Sequence, residues 1–209
     1  MTGVRIAVLD YGIGNLRSAE KALQHVGADA FLTASPSDVS AADAVVLPGV
    51  GAFGACMNAL RAARLEEVVV DAVSSGRPFL GICVGMQMLF SRSEEDPEAT
   101  GLGVVPGVVR WIPPGVKRPQ MQWNRLDVAA LDDPMFSGLT AHDAWVYFVH
   151  SLHGVPDDPT VVVATCEYGS TLNAAFRSGN VFATQFHPEK SGRTGLRLLA
   201  NFVSVASRG

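Results

Sequence analysis

The spacing of hydrophobic residues changes twice along this chain. Val4 to Leu9 is a short apolar run, the signature of a buried strand. After the turn Asp10–Asn15, apolar residues recur every three or four positions at Leu16, Ala19, Leu23 and Val26. That is one face of a helix, and Gly27 is placed to end it. Ala30–Thr33 and Ala44–Leu47 are two further strand candidates. Helices are expected over 55–61 and 65–75, the second stopped by Gly76. Then Phe79–Ile82, a strand introduced by Gly76-Arg77-Pro78, runs directly into a helical stretch from Val84 to Phe90. Strands alternating with helices predict a parallel sheet with helices on both faces, and sites in such folds form at the carboxyl ends of the strands.

Beyond Phe90 the period shortens. Ser91–Gly103 is polar and acidic and reads as a loop. Val108–Ile112, Trp123–Val128, Trp145–Val149, Val161–Thr165, Thr171–Phe176 and Val181–Phe186 read as strands, the last two joined by a tight turn at Ser178-Gly179-Asn180. Gly192–Val205 is a final helix with Leu196, Leu199, Ala200 and Val203 on one face. The expected fold is therefore α/β: a mainly parallel central sheet with helices on both faces, plus added antiparallel strands in the second half. No linker, repeat or low-complexity stretch divides residues 1–209, which are expected to form a single domain.

Composition narrows the function classes. Of 209 residues, 48% are hydrophobic and 17% charged, enough apolar surface for a large core. A net charge of −4 argues against a nucleic-acid surface, and no apolar run reaches the ~18 residues of a membrane span. Met1–Asp10 lacks the basic start and long apolar stretch of a signal peptide. Three widely spaced cysteines, an odd number, suit neither a disulfide framework nor a zinc site and fit a reducing cytoplasm. No metal or cofactor is expected. The turn after the first strand lacks the full Gly-x-Gly-x-x-Gly of a dinucleotide site.

The candidate chemistry begins at Cys83, at the strand-to-helix joint between Gly81 and Gly85. Gly-x-Cys-x-Gly is the thiol counterpart of a nucleophile elbow, whose sharp turn needs small neighbours and lifts the nucleophile to a helix N-terminus. A cysteine alone is more often inert core packing, and the glycine-flanked joint brings the two readings level. A base decides between the two, and His187 is the candidate. In Gln185-Phe186-His187-Pro188-Glu189 the histidine and glutamate are two apart, and Pro188 keeps His187 out of a helix. In an extended chain Glu189 would then orient the imidazole, as in a triad, although an exposed His-Pro-Glu turn is the plainer alternative. His25, His142, His150 and His153 have no such partner nearby, and His25 is expected to be solvated.

Gly81-Ile82-Cys83-Val84-Gly85-Met86-Gln87 followed by Gln185-Phe186-His187-Pro188-Glu189 resembles the class I glutamine amidotransferase family. Its members hydrolyse L-glutamine with Cys, His and Glu and pass the ammonia to a synthase. Asp10-Tyr11-Gly12-x-Gly14-Asn15-Leu16, Pro48-Gly49-Val50-Gly51-Ala52-Phe53, Trp123-Asn124, Tyr147-Phe148-Val149-His150-Ser151 and His187-Pro188-Glu189-Lys190-Ser191-Gly192 narrow the resemblance to one branch. There the glutaminase pairs as a heterodimer with a separate cyclase, which folds as a (β/α)8 barrel. The resemblance implies Cys83 as nucleophile, His187 as general acid–base and Glu189 as its partner. It implies an oxyanion hole from Val84 and the Val50–Gly51 loop, and a glutamine site from Gln87, Glu95, Gly51, His150 and Ser151. It places Tyr11, Gly12, Asn15, Met121, Trp123 and Lys190 toward the partner. Gln122, before Trp123-Asn124, and Leu152, after His150-Ser151, depart from the usual pattern. The rivals are a glutaminase for anthranilate, guanylate or pyridoxal phosphate synthesis, and a cysteine peptidase. The glycines of Pro48–Gly51 also suggest a loop with more than one peptide orientation, with Gly49 expected to need a positive φ in one of them.

Overall fold

The computed structural model describes residues 3–140 and 144–208. The first half alternates as the pattern predicts: β1 (Arg5–Leu9), α1 (Leu16–His25), β2 (Asp29–Thr33), α2 (Pro36–Ser40), β3 (Ala44–Gly49), α3 (Phe53–Ala62), α4 (Glu66–Ser74), β4 (Phe79–Cys83) and α5 (Val84–Met88). The second half adds β5 (Phe90–Ser93), β6 (Val105–Trp111), β7 (Gln120–Arg125), β8 (Asp127–Val128), β9 (Trp145–His150), β10 (Leu152–Pro156), β11 (Val162–Glu167), β12 (Thr171–Ser178), β13 (Val181–Thr184) and α6 (Gly192–Ala206).

The main sheet runs β2-β1-β3-β4-β13-β12-β11-β8. Its first five strands are parallel and the rest antiparallel. β3 and β4 are buried along their whole length, which is why they read as unbroken apolar runs rather than as alternating ones. The chain steps from β1 outward to β2, then back across β1 to β3 and β4. Right-handed crossovers therefore put α1 on one face and α2, α3 and α4 on the other. α6 returns to pack against α1. Buried apolar side chains from Ile6 to Ala206 form one cluster spanning both halves.

Several expected boundaries move. The helix after Cys83 ends at Met88, because Phe90 turns into β5 and sets its ring edge-on to Phe176, with centroids 5.3 Å apart. Ser91–Gly103 is thus partly strand. The stretch 123–128 splits: β7 begins earlier and pairs with β9, whereas β8 joins the main sheet beside β11, with buried Leu126 at the change of partner. α2 and β10 are additions to the expected elements. α2 is a single turn started by Ser35, whose side chain accepts the Asp38 N–H, with Pro36 following; β10 carries the breakers Gly154 and Pro156. The Gly179-Asn180 turn joins β12 to β13 as expected, and His25 is exposed. Among the described residues no helix is long and apolar enough to cross a membrane.

One consequence of this order positions the site. β4 lies between β3 and β13, with Gly49 opposite Cys83 and Thr184 opposite Ile82. The loop after β3, the elbow after β4 and the segment after β13 therefore leave the sheet side by side.

Candidate active site

Cys83 sits at the joint of β4 and α5 with φ +55° and ψ −112°, a conformation that side-chain-bearing residues rarely adopt. The turn is tight enough that a methyl group on Gly85 would run into the Leu47 carbonyl of the neighbouring strand. Cys83 is only 4% exposed, so the elbow is the floor of a cleft rather than a surface projection. α5 is only five residues long, and its dipole supplies correspondingly less than a full helix would.

His187 follows β13, and its N–H donates to the Tyr147 carbonyl at 3.1 Å. Ser191 Oγ braces it by donating to the His187 carbonyl at 2.6 Å and accepting the Tyr147 N–H at 2.9 Å. His187 is extended (φ −100°, ψ 96°), but Pro188–Lys190 then form a 3₁₀ turn. Glu189 thus reaches the ring by the chain turning back, not by the pleat of an extended strand. Glu189 Oε1 lies 2.8 Å from His187 Nδ1, and both side chains are 2% exposed. Burial by itself lowers the histidine pKa. Hydrogen bonds and charge from Cys83 and Glu189 outweigh it and raise the value to about 9. At neutral pH the proton therefore rests on the imidazole, ready for a leaving amine, before any substrate arrives.

The cleft above Cys83 encloses about 360 Å³. It is lined by Val50, Gly51, Val84, Gln87, Glu95, His150, Ser151, His187 and Lys190, and by Pro119, Val149 and Leu152. Every residue expected to react, to donate to an oxyanion or to hold glutamine lines it, except Glu189, which stands behind His187. Glu95 also accepts the Phe53 N–H at 2.7 Å, which fixes its carboxylate at the mouth of the Pro48–Gly51 loop. His150 is not a competing base: Nδ1 contacts the Leu152 carbonyl at 2.7 Å, Nε2 contacts Gln120 at 2.8 Å, and burial pushes its pKa down to about 4. His142 lies outside the described residues.

The residues expected to face a partner divide. Met121 and Trp123, 61% and 48% exposed, stand on the outer side of β7, and Gly12 is exposed. Trp145, 49% exposed on β9, extends this apolar surface. Lys190 is exposed and also lines the cleft. Asn15 is half-buried and donates through Nδ2 to Glu189 Oε1 at 3.5 Å, so it reaches Glu189 as well as the surface. Tyr11 is corrected: it is 5% exposed, and its hydroxyl donates to the Pro48 carbonyl at 2.6 Å, so its ring faces inward. The expectation for Gly49 is also corrected. Gly51 has the positive φ, +91°, with open space around it, while a methyl on Gly49 would come 2.5 Å from the Gly85 nitrogen.

Sequence reasoning missed Gln185 as a site residue. It is fully buried; its Oε1 accepts from Gln87 Nε2 at 3.1 Å and its Nε2 lies 3.8 Å from Cys83 Sγ, so it links Gln87 to Cys83. A buried strand that ends in polar Thr184 and Gln185, just before His187, is the only signal the sequence offers.

A strained cysteine elbow, a glutamate-backed histidine just after the adjacent strand and a cleft that both line define a thiol-dependent amide hydrolase. The family model for class I glutamine amidotransferases matches residues 7–206, and the chain belongs to that family. It is 50% identical to the imidazole glycerol phosphate synthase subunit HisH of Synechococcus sp. (strain JA-3-3Ab), over 100% of this chain and 97% of the relative. It is also 50% identical to the HisH subunit of Methanothermobacter thermautotrophicus, over 96% and 98% of the two chains. Among solved structures, a chain in the structure of PurLQS from Thermotoga maritima superposes with a TM-score of 0.76 at 21% identity, covering 97% of this chain and 99% of that one; this likeness concerns the fold.

Proposed function

We infer that this chain is the glutaminase subunit of an imidazole glycerol phosphate synthase, acting as a single domain in the cytoplasm. The observation that carries the reading is that Cys83 and His187, the latter backed by Glu189, line one cleft together with Glu95 and the Gly51 loop. The Cys83 thiolate attacks the side-chain carbonyl carbon of L-glutamine. Charge on the carbonyl oxygen is met by the Val84 N–H and by an N–H of the Val50–Gly51 segment. Collapse of the intermediate breaks the C–N bond, and His187 gives its proton to the departing ammonia. The glutamyl thioester is then hydrolysed by water that His187 deprotonates, which returns the proton to the imidazole. Glu95 suits the ammonium of the substrate, and Gln87 and the backbones of Gly51, His150 and Ser151 complete its seat.

The ammonia passes to a separate (β/α)8-barrel cyclase subunit. There it yields imidazole glycerol phosphate and an aminoimidazole-carboxamide ribotide, a step of histidine biosynthesis. Gly12, Asn15, Met121, Trp123 and Lys190 form the facing surface in this heterodimer. The test is ammonia release from glutamine with and without the cyclase subunit and its ligand, paired with growth of a histidine auxotroph lacking its own glutaminase subunit. Ammonia release with no rescue of growth would assign the chain to another synthase. Cleavage of peptides in place of glutamine would make it a peptidase.

A further inference from the structure

A line of buried amides runs from β10 to Cys83. Gln87 of α5 is 3% exposed and donates through Nε2 to two acceptors, the Leu152 carbonyl of β10 at 3.4 Å and Gln185 Oε1 at 3.1 Å. Gln185 is fully buried, and its backbone N–H is fixed to the Ala174 carbonyl of β12 at 2.9 Å. Its side-chain Nε2 lies 3.8 Å from Cys83 Sγ. Gln87 and Cys83 both line the cleft; Gln185 does not, and it touches both.

The line has a direction. A carbonyl oxygen can only accept, so the Leu152 oxygen requires the amino end of the Gln87 amide. His150 Nδ1 contacts the same oxygen at 2.7 Å and occupies its other lone pair. Gln87 then has one side-chain N–H left on the inside, and Gln185 must meet it with oxygen. That turns the Gln185 amino group toward the sulfur, where an N–H suits a thiolate. Rotated by half a turn, the Gln185 amide would set donor against donor at Gln87 and oxygen against the sulfur, which burial makes costly. With both of its N–H bonds committed inside the protein, Gln87 has its carbonyl oxygen to offer the cleft, and an oxygen there matches a substrate N–H.

We propose that Gln185 is a positioning residue for amide hydrolysis, holding Gln87 as an acceptor for the substrate and setting an N–H against the Cys83 sulfur. The assignment rests on the glutaminase reading given above. It gives a role to a buried polar side chain that neither reacts nor lines the cleft.

The experiment uses the full chain in complex with its cyclase partner. kcat and KM for glutamine are measured for Gln185→Met, Gln185→Glu, Gln87→Met and the double variant Gln185→Met/Gln87→Met. Melting temperature and co-elution with the partner show that each variant is folded and assembled. Gln185→Met keeps the length of the side chain and removes both of its polar ends. It is expected to lower kcat/KM by about 10- to 100-fold, the range for a buried hydrogen bond left half made, with KM raised and kcat lowered. Gln185→Glu keeps an oxygen for Gln87 and loses the N–H toward the sulfur, so KM is expected to return to within about threefold while kcat stays about tenfold down. Because Gln185 works through Gln87, the double variant should lose less than the product of the two single losses. The proposal is overturned if kcat/KM of Gln185→Met stays within about twofold of the unmodified value, if Gln185→Glu raises KM as much as Gln185→Met does, or if the two single losses simply multiply. Those outcomes leave the glutaminase reading standing. An unmodified complex that releases no ammonia from glutamine would sink that reading itself, and this assignment with it.

Discussion

Replacing Glu189 by glutamine removes a charge from the site and leaves its shape. In the unmodified protein Glu189 Oε1 lies 2.8 Å from His187 Nδ1, with both side chains 2% exposed, so solvent screens the pair little. Glutamine still offers an oxygen there, and the ring keeps its tautomer and direction. What is lost is the difference between a charged hydrogen bond, ~1.5–3 kcal/mol, and a neutral one, ~0.5–1.5 kcal/mol, or about 1–1.5 kcal/mol. At 1.36 kcal/mol per pH unit, the His187 titration moves down from about 9 by roughly one pH unit. The imidazolium formed again during turnover loses the same support, so kcat for glutamine falls by about tenfold. Glu189→Ala should lose more, because the ring also loses its acceptor. The same linkage has a stability signature. The folded pKa of His187 is raised above the ordinary 6.5, so its contribution to stability is fully present below pH 6.5 and is lost as pH rises through about 9. In Glu189→Gln that loss should be complete about one pH unit earlier. The assays are an NMR titration of the His187 ring proton, the pH dependence of kcat in the complex, and melting temperature between pH 6 and 10. An unmoved titration together with an unchanged kcat would refute the electrostatic account of Glu189.

Three further outcomes are expected. Cys83→Gly and Cys83→Ala should both abolish glutamine hydrolysis while ammonia-dependent synthesis by the partner continues; because φ at this position is +55°, the glycine variant should be the more stable by about 1 kcal/mol in denaturant unfolding, and the reverse order would show that the elbow is not strained. Gly51→Ala meets no neighbour but is disfavoured at φ +91°, so it should change the ratio of partner-stimulated to basal glutaminase activity; an equal scaling of both rates would make Gly51 an ordinary turn residue. Trp123→Ala should weaken association with the cyclase subunit by at least ~30-fold, the ~2 kcal/mol of a hot-spot aromatic, without altering Cys83 alkylation; titration calorimetry showing unchanged affinity would remove β7 from the interface.

The parts legible in the sequence share a physical cause. β1, β3 and β4 are buried on both faces, so the apolar run is the strand; Gly85 is demanded by the Leu47 carbonyl beside it, and Gly81 has little room beside Met86 and Leu89. Cys83 and the His187–Glu189 pair could be singled out as candidates because each carries a local signature. Their meeting was not local: it depends on β13 being inserted beside β4, which no short-range pattern states. The misreadings arose where tertiary contact overrode local preference. Phe90 leaves its helix to meet Phe176, and Glu189 reaches His187 through a turn. Tyr11 looked like part of an exposed loop but is drawn inward by the Pro48 carbonyl. Gln185 escaped notice because a buried polar atom is recognised by its partners, which the sequence does not name.

The place of β13 in the sheet also bears on how the chain is made. β1 to β4 can pair as they emerge from the ribosome, since their crossovers are short. β4, apolar throughout, then keeps an open edge until Val181–Thr184 has been synthesised. Such an edge is a template for pairing with other chains, so the nascent protein passes through an interval in which it needs shielding. The strand that closes the edge also delivers His187. A chain stalled before that point has Cys83 without the histidine that lines the same cleft.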